Sequence, residues 1–359
     1  MNRMSRKIVH IVGTGTIGEP LIALLASLHR SLGIDEVSFQ PDIAALQNKA
    51  IIKGLIHKGA KLCVAPEQTD FFSGLGLKAD YTPQAALERS AVIIDCSPPL
   101  EGMKNKVGTY SQYAWENKVF IAQANQIDFG KNYAFGINDE ALIPHQDQFI
   151  RIVSCNTHTI ATLIKTLAFD DSGNNRLEWG RFTIIRRASD ISQEEGMIPA
   201  PRIERHTDPT YGSYHAADAA SLFRSIGIEL DVFTSVMQVN SQYHHIVHFD
   251  LRTDESITLQ QILGRIEKNP YLAITNKTLT SLVFAFIRDI GYSGRILNQS
   301  IIVVPSLQIR KDNEIVGFSF APQDGNSVLS SIAAALWALY PFSYREKLKH
   351  INNLVFDEV

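Results

Sequence analysis

The sequence predicts an α/β protein of two domains, in which a doubly wound parallel sheet is followed by an α+β domain with a mixed or antiparallel sheet. Short apolar runs alternate with helix-length segments through the first third of the chain, and longer alternating strands follow after about residue 151. The length of 359 residues suits two domains. Hydrophobic residues make up 45% and charged residues 20%, so the chain can bury a large core, which excludes disorder throughout.

The charge balance excludes several classes of partner. A formal net charge of −3 supplies no basic field for a nucleic acid and no basic tail for a membrane surface. No run reaches about 18 apolar residues, and the N-terminus lacks the pattern of a signal peptide. Cys63, Cys96 and Cys155 form neither a disulfide framework nor a paired metal pattern. We therefore expect a cytoplasmic protein with no nucleic-acid or membrane partner.

The first domain is predicted from strands that alternate with helices. The predicted strands are residues 7–12, 36–40, 61–65 and 91–96. The segments between them, such as 19–32 and 42–54, have the length and composition of helices. Alternation of this kind is typical of a parallel sheet with helices on both faces.

The second domain is predicted from longer strands in which apolar and polar residues alternate. These are residues 181–187, 242–252 and 300–309. A polar, proline-rich passage at 189–212 predicts a surface loop, and the apolar stretch 327–340 predicts a helix near the end of the chain.

The turn after the first strand carries the first chemical signal. It consists of Gly13, Thr14, Gly15, Thr16, Ile17 and Gly18. The pattern G-x-G-x-x-G allows a tight turn, close approach of a pyrophosphate and close packing of the next helix, whose N-terminus faces the anion. We expect a Rossmann-type dinucleotide-binding domain over residues 1–153; a glycine-rich turn without a ligand is the alternative.

The end of the second strand bears on which dinucleotide is bound. An acidic residue there holds the ribose diol of NAD, whereas a cation accommodates the 2′-phosphate of NADP. The strand ends with neither, and Ser38 or Gln40 could bond a ribose hydroxyl. The lack of Lys and Arg mildly favours NAD.

Cys155 is the second chemical signal. It follows a predicted strand and precedes a predicted helix, with Asn156, Thr157 and Thr159 as candidate caps. The positive end of a helix dipole favours a thiolate, which would make Cys155 a nucleophile; the alternative is a buried, inert cysteine. A thiolate that adds to an aldehyde gives a thiohemiacetal, and its oxidation gives a thioester that phosphate, water or an amine can open.

Several segments, in order, resemble those of the archaeal-type (type II) glyceraldehyde-3-phosphate dehydrogenases. They are the glycine turn, residues 94–98 with Ser97 and Pro98, residues 153–157 around Cys155, the paired arginines in 185–190, and residues 213–218. The last of these stands where the family has Ser-His-His-Gly-Pro-Asp. The match extends from about residue 8 to about residue 335.

The resemblance implies roles for individual residues. Cys155 would be the nucleophile, Ser97 and Pro98 would contact the cofactor, and phosphate would be held by a set made up of Thr157, Arg186, Arg187 and His215. The family's base lies in a Met-His-x-His-Ser strand motif. Alignment from the upstream side places His245 on its first histidine, and alignment from the downstream side places it on the second, the expected base. We choose His245, with His244 as the substitute.

This chain also departs from the family pattern. Tyr214 and Ala217 replace a histidine and a proline of the 213–218 segment, and His158 and Thr159 stand where the nucleophile helix of the family has Thr-Gly. Phe39 and Gln40 stand where the family commonly has Thr and Lys. His244 and His248 would share a strand face, but no carboxylate or cysteine cluster accompanies them, so we predict no metal site.

These observations together predict an NAD(P)-dependent, phosphorylating aldehyde dehydrogenase that takes a small aldehyde and inorganic phosphate. The catalytic domain is expected over residues 154–328. By resemblance, the C-terminal helix in 329–359 packs back on the first domain, and the chain is a homo-oligomer, a tetramer. Two alternatives are a related dehydrogenase for another aldehyde or acyl phosphate, and a catalytically silent dinucleotide-binding protein.

Overall fold

The computed structural model describes residues 6–41, 48–113, 118–124, 126–189, 198–322 and 324–359. It contains two compact units. The first comprises Met1–Lys131, Leu142–Ile152 and Ser330–Asn352, and the second comprises Asn132–Ala141, Val153–Leu329 and Asn353–Val359.

The first unit is built on a parallel sheet. In chain order, the strands up to residue 152 are β1 (Ile8–Val12), β2 (Glu36–Gln40), β3 (Lys61–Leu62), β4 (Val92–Asp95), β5 (Val119–Ala122), β6 (Lys131–Tyr133) and β7 (Phe149–Ile152). The chain passes into the second unit at β6. Six of them lie in the order β3-β2-β1-β4-β5-β7, and every neighbouring pair is parallel. The winding of the chain reverses between β1 and β4, which is where open α/β sheets bind ligands.

Helices connect these strands. They are α1 (Gly18–Leu32), α2 (Lys49–His57), α3 (Thr69–Gly74), α4 (Pro83–Arg89) and α5 (Glu101–Gly108). The β1 and β4 side chains are almost all buried, as a sheet covered on both faces requires. Of the helix predicted at 42–54, residues 42–47 lie outside the described residues, and α2 covers residues 49–54 and three residues more.

The second unit contains a mixed sheet with helices packed on it. The helices are α6 (Cys155–Leu167), α7 (Tyr214–Arg224), α8 (Leu259–Lys268) and α9 (Thr280–Ile290). The strands are β8 (Leu177–Arg186), β9 (Arg202–Ile203), β10 (Val232–Gln238), β11 (His245–Thr253), β12 (Leu272–Thr275), β13 (Ser300–Val303), β14 (Gln308–Arg310) and β15 (Glu314–Ala321). They lie in the order β12-β13-β15-β11-β8-β10-β9, with β14 paired to β15. The predicted α/β fold class is confirmed.

Alternation along the central strands of this sheet separates a buried face from a more open one. Successive residues of β10 and β11 are buried and half-buried in strict turn. The buried side chains join those of α6, α7 and α8 in one apolar core. This core fixes the start of α6, which carries Cys155.

Several predicted elements have different bounds in the structure; β8 begins at Leu177 rather than at residue 181, and β11 begins at His245 rather than at residue 242. The strand predicted at 300–309 is interrupted by a 3₁₀ turn at Val304–Ser306, because Pro305 cannot donate to the sheet. The strand predicted at 61–65 ends at Leu62. The loop predicted at 189–212 contains the two-residue β9, and its residues 190–197 lie outside the described residues.

The last helices are α10 (Gly325–Leu339) and α11 (Tyr344–Leu348). Over the described part of the chain, no helix combines the length and the apolar character needed to cross a bilayer.

The N-terminus of α8 offers a test of local stability. Thr258 accepts a hydrogen bond from the Gln261 N–H, and the Gln261 side chain accepts one from the Thr258 N–H, which completes a capping box. Thr258→Ala is expected to lower the free energy of unfolding by about 1 kcal/mol in a urea titration. Thr258→Ser keeps the acceptor and should lose less than half of that; an equal loss in both variants would contradict the role of the cap.

Candidate active site

The glycine turn of the first unit has no room for a side chain at its first and third glycines, but it has room at the second. Gly13 has a φ of +94°, and a Cβ there would lie 2.8 Å from the Cys96 carbonyl oxygen. A Cβ on Gly18 would clash with the Gly13 carbonyl oxygen. A Cβ on Gly15 would have no heavy atom within 4 Å. Side chains are therefore excluded where the turn packs against itself, while the backbone of Gly15 is accessible to a ligand.

A cavity of about 800 Å³ lies beside this turn, at the carboxyl ends of β1, β2 and β4. Its lining includes Gly13, Gln40, Ser97 and Pro98, and its volume is in the range of small-molecule and cofactor sites. Thr14 is buried, whereas Thr16 and Ile17 are half-buried in the turn that leads into α1. Four of the residues predicted to contact a dinucleotide, Gly13, Gln40, Ser97 and Pro98, therefore line one cavity, whereas the lining does not include residues 14–18.

The two polar residues predicted near the ribose differ in access. Gln40 ends β2 and lines the cavity. Ser38 is 1% exposed, and its hydroxyl is hydrogen-bonded to His10 Nδ1 at 2.9 Å, so the ribose alternative involving Ser38 is wrong. The described residues that line the cavity include Glu67 and Glu101 but no Lys or Arg.

Asp95, which sequence reasoning missed, orders the other wall of this cavity. It is 1% exposed and accepts hydrogen bonds from the Ser97 N–H at 2.9 Å, Asn105 Nδ2 at 2.9 Å and the Tyr110 hydroxyl at 2.7 Å. These bonds fix the turn that carries Ser97 and Pro98. Its position at the end of a parallel strand was the available signal.

In the second unit, Cys155 is the first residue of α6 and is half-buried. The cap is Ser154, whose hydroxyl accepts from the Thr157 N–H at 3.2 Å. The predicted caps Asn156, Thr157 and Thr159 are wrong, because the helix begins one residue before the first of them. Cys155 is thus not fully buried, and a helix dipole favours negative charge on a sulfur in this position.

The N-terminus of α7 lies beside that of α6. His215 Nδ1 is 3.0 Å from Ser154 Oγ, and Thr157 Oγ1 lies 2.9 Å from the same oxygen. The α7 cap, Ser213, accepts from the His215 N–H. Burial, assisted by the charge of Arg186, lowers the pKa of His215 to about 3, so its ring is neutral near pH 7.

Of the two candidate bases, His245 lies with the paired arginines. The Arg187 N–H donates to His245 Nδ1 at 3.2 Å, so the neutral ring carries its proton on Nε2. Burial, with the charges of Arg187 and Arg186, holds the pKa of His245 well below its usual value. His244 is turned away, with Nδ1 3.2 Å from the Ala321 oxygen and its ring near Phe320.

The two arginines have different environments. The Arg187 side chain is 2% exposed and lies 3.4 Å from the Asp324 carboxylate. The Arg186 side chain is 37% exposed and pairs with Glu204 at 2.7 Å. A ligand can therefore reach Arg186 directly, whereas Arg187 is part of the buried framework.

Tyr214 completes the group around Cys155. Tyr214 is 44% exposed, and the protein atoms packed around its hydroxyl raise its pKa, with Arg186 lowering it and charge on Cys155 raising it further. The tyrosine is thus within electrostatic reach of both residues. Tyr214 stands where the 213–218 segment of the resembled family has its first histidine.

Comparison with known proteins finds relatives that share one name and differ in how much of the chain they cover. No family model matches the chain. The glyceraldehyde-3-phosphate dehydrogenase of Methanothermus fervidus is 24% identical over 360 residues, which is 96% of this chain and 97% of the relative. The enzymes of that name from Pyrobaculum arsenaticum and Sulfolobus acidocaldarius are 26% and 24% identical, over 79% and 96% of this chain and 78% and 95% of their own lengths.

The relatives are archaeal glyceraldehyde-3-phosphate dehydrogenases. The resemblance predicted from the sequence motifs is therefore confirmed, over nearly the full length of the Methanothermus and Sulfolobus proteins.

Asn326 and Asp324 are further residues near the nucleophile that sequence reasoning did not select. Asn326 is fully buried, and its Nδ2 donates to the carbonyl oxygens of Cys155 and Gln299, each at 3.0 Å. The Asp324 carboxylate pairs with Arg187. Asn326 is 171 residues from Cys155 and Asp324 is 137 residues from Arg187 in sequence, so no local pattern reports these two contacts.

The buried histidines predict how stability depends on pH. Burial lowers the pKa to about 4 in His10, His158 and His244, and to about 3 in His215. The unfolded chain binds protons near pH 6.5 while the folded chain does not. The contribution of these groups to the free energy of unfolding should therefore be complete above about pH 6.5. It should decrease as the pH drops toward 4, by up to about 1.4 kcal/mol per pH unit for each group.

Urea titrations between pH 4.5 and 7 measure this slope. His158→Gln should make the slope of unfolding free energy against pH shallower by about one proton equivalent, because it removes one buried ring. His57→Gln, which replaces an exposed histidine, is the matched control. A wild-type stability that rises as the pH falls would show that the buried rings are charged.

Proposed function

We propose that this chain is a phosphorylating aldehyde dehydrogenase of the glyceraldehyde-3-phosphate dehydrogenase type. The observation that carries the proposal is the position of Cys155 at the N-terminus of α6, with a second helix N-terminus hydrogen-bonded beside it through Ser154 and His215. The similarity to enzymes of that name supports the reaction class. The tetramer and the cytoplasmic location implied by the resemblance stay predictions.

The first unit fits a nicotinamide dinucleotide. The open backbone at Gly15 and the cavity bounded by Gln40 and Ser97 would hold the pyrophosphate and the adenosine half. When bound, this cofactor supplies the acceptor for the hydride that leaves the substrate carbon. We favour NAD over NADP, because Glu67 lines the cavity and its described lining has no cation to neutralise a 2′-phosphate.

In the proposed reaction, Cys155 attacks as a thiolate. The thiol first gives up its proton to solvent, and the helix dipole stabilises the charge that remains on sulfur. The sulfur then forms a bond to the aldehyde carbon, and the carbonyl π electrons move onto oxygen. Loss of hydride from this carbon leaves a thioester on Cys155.

His245 would contribute a hydrogen bond to the oxygen that becomes negative. Because the Arg187 N–H occupies Nδ1, the neutral ring has a donor at Nε2 and no vacant nitrogen there to accept a proton. We therefore assign it stabilisation of the oxyanion rather than the predicted removal of a hydroxyl proton. A reaction that starts from the thiolate balances without that base, because the proton has already left.

Phosphate would then open the thioester. A phosphate oxygen bonds to the acyl carbon, the carbon–sulfur bond breaks, and the electron pair returns to Cys155 as the thiolate, giving an acyl phosphate. Arg186 is the arginine that can bind the phosphate, by exchanging its exposed partner Glu204 for the ligand. Arg187, Thr157 and His215 would hold the surrounding framework.

A second candidate is the same chemistry on a different aldehyde. Tyr214 supports it, since a phenol ring stands within electrostatic reach of Cys155 where the related family has histidine. A spectrophotometric panel of aldehydes, each with and without phosphate and with either cofactor, separates the two candidates by their kcat/KM ratios.

Replacement of the nucleophile tests the proposal most directly. Cys155→Ala should lower kcat for phosphate-dependent aldehyde oxidation by at least about 10³-fold, because the thioester cannot form. Cofactor affinity, measured by fluorescence titration, should stay within about twofold.

Cys63→Ala is the matched control. Its burial raises the pKa of that thiol to about 12, so it stays protonated and should be dispensable. Turnover of Cys155→Ala at the wild-type rate would refute the mechanism. Normal cofactor binding with no turnover by the wild-type chain on any aldehyde would favour the silent binding protein.

Gly15→Ala tests the nucleotide site. The added methyl group meets no protein atom, so the fold should be retained, but it occupies the space that a pyrophosphate needs. The Kd for NAD should rise by about tenfold or more. Gly54→Ala, which also meets no atom within 4 Å and lies inside α2, should bind NAD as the wild type does.

The same titrations with NADP address the cofactor preference. The wild-type chain should bind NAD more tightly than NADP. The reverse order would overturn the assignment made from Gln40 and Glu67 without affecting the assignment of the glycine turn.

A further inference from the structure

The second unit contains another cavity, of about 360 Å³, at the far end of the helix that begins with Cys155. Thr162, Lys165 and Thr166 of α6 line it, together with Phe135, residues from the end of α8, and Gln299. Thr166 lies about 16 Å along the helix axis from Cys155. The cavity is therefore separate from the residues assigned to catalysis.

Two buried side chains in its wall have unsatisfied polar atoms. Thr162 and Gln299 are each 2% exposed, and neither Thr162 Oγ1 nor Gln299 Oε1 has a hydrogen-bond partner among the described residues. Gln299 Nε2 donates to the Phe135 oxygen at 3.2 Å, which fixes the orientation of the amide and leaves Oε1 as an acceptor. Buried polar atoms are rarely left this way, so these two point to a ligand that carries hydrogen-bond donors.

The lining of the cavity carries three cations, Lys165, Arg265 and Lys268, and two carboxylates, Asp170 and Asp171. Arg265 lies 3.7 Å from Glu255, and Asp170 lies 3.0 Å from Arg176, so the lining with these partners keeps an excess of one positive charge. Lys268 pairs with Asp171 at 2.9 Å, but both side chains are about 70% exposed, so this pair opens at little cost. A ligand with a single negative charge complements this lining.

The inner wall is also linked to the nucleophile. The Gln299 carbonyl oxygen accepts from Asn326 Nδ2 at 3.0 Å, and the same nitrogen donates to the Cys155 carbonyl oxygen at 3.0 Å. Gln299 and Cys155 thus accept hydrogen bonds from the same Asn326 nitrogen. A ligand bound to the Gln299 side chain would therefore act on a residue that is connected to Cys155 through Asn326.

We propose that this cavity binds a small hydroxylated anion, a hydroxy acid or a polyol phosphate, and that binding changes the reactivity of Cys155. The ligand hydroxyls would bond to Thr162 and Gln299, and the anionic group would meet Arg265 and Lys268. The binding part is independent of the proposed function, whereas the effect on Cys155 rests on its role as the nucleophile.

Calorimetric titration of the full chain tests the binding part. The probes are glycerate, glycerol 3-phosphate, glycerol and inorganic phosphate. At least one of the first two should bind saturably with one site per chain and at least tenfold more tightly than glycerol or phosphate. Preference for glycerate or for glycerol 3-phosphate identifies the anionic group.

Variants then locate the site. Thr162→Val, which removes only the hydroxyl, and Lys268→Glu, which lies on the surface, should each weaken binding at least tenfold. Arg186→Ala should leave this binding unchanged, which distinguishes the cavity from the substrate site. Lys349→Glu is the matched control, because Lys349 forms a similarly exposed pair with Glu346.

Absence of saturable binding by either anion, or unchanged binding in both Thr162→Val and Lys268→Glu, would overturn the site. If Thr162→Val does not fold, as judged by circular dichroism, Lys268→Glu decides the outcome alone.

The coupling is measured as the rate at which iodoacetamide alkylates Cys155, followed by mass spectrometry of its peptide. A saturating anion should change this rate at least threefold in the wild type and leave it unchanged in Lys268→Glu. An unchanged rate in the wild type overturns the coupling alone. Failure of the proposed function would instead appear as loss of aldehyde turnover with cavity binding intact.

Discussion

The hydrogen bond between Ser154 Oγ and His215 Nδ1 is the contact on which the candidate catalytic site depends. It joins two residues that are 61 positions apart, and it brings together the N-termini of α6 and α7. Each helix contributes a partial positive charge there. Under the proposed function, a negative sulfur and a negative substrate would be stabilised at the same place, without a charged histidine.

Around this contact, the second unit separates charged groups from neutral ones. His215 and His245 are buried and uncharged, and Arg187 is buried against Asp324. Arg186 keeps its charge at the surface. Because these buried groups are an arginine paired with Asp324 and neutral imidazoles, an anion that approached this site would meet Arg186 at the surface first and the helix dipoles beyond it.

The sequence was sufficient to predict those features that depend on local patterns. Residues 36–40 form a strand as predicted, and α1 and α10 begin within two residues of the predicted starts. Local patterns failed to identify the residue that caps a helix and the residue that interrupts a strand. Ser154 rather than Asn156 caps α6, and Pro305 divides a run that otherwise reads as a single strand.

Long-range contacts were beyond such patterns. Asp95 is adjacent in sequence to the residues it orders, but its three donors come from different elements, and Asp324 and Asn326 meet partners from the other end of the unit. The choice between His244 and His245 also required the fold, since the two point to opposite sides of one strand and only the sheet neighbours decide which side faces the arginines.

The donor that sets the His245 tautomer is a main-chain amide. Every amino acid except proline supplies such a group at position 187, so the protonation pattern of the imidazole is inherited from the backbone path rather than from the arginine side chain. A change of side chain at 187 would therefore leave the proton of the ring on the same nitrogen, while it would remove the buried ion pair with Asp324.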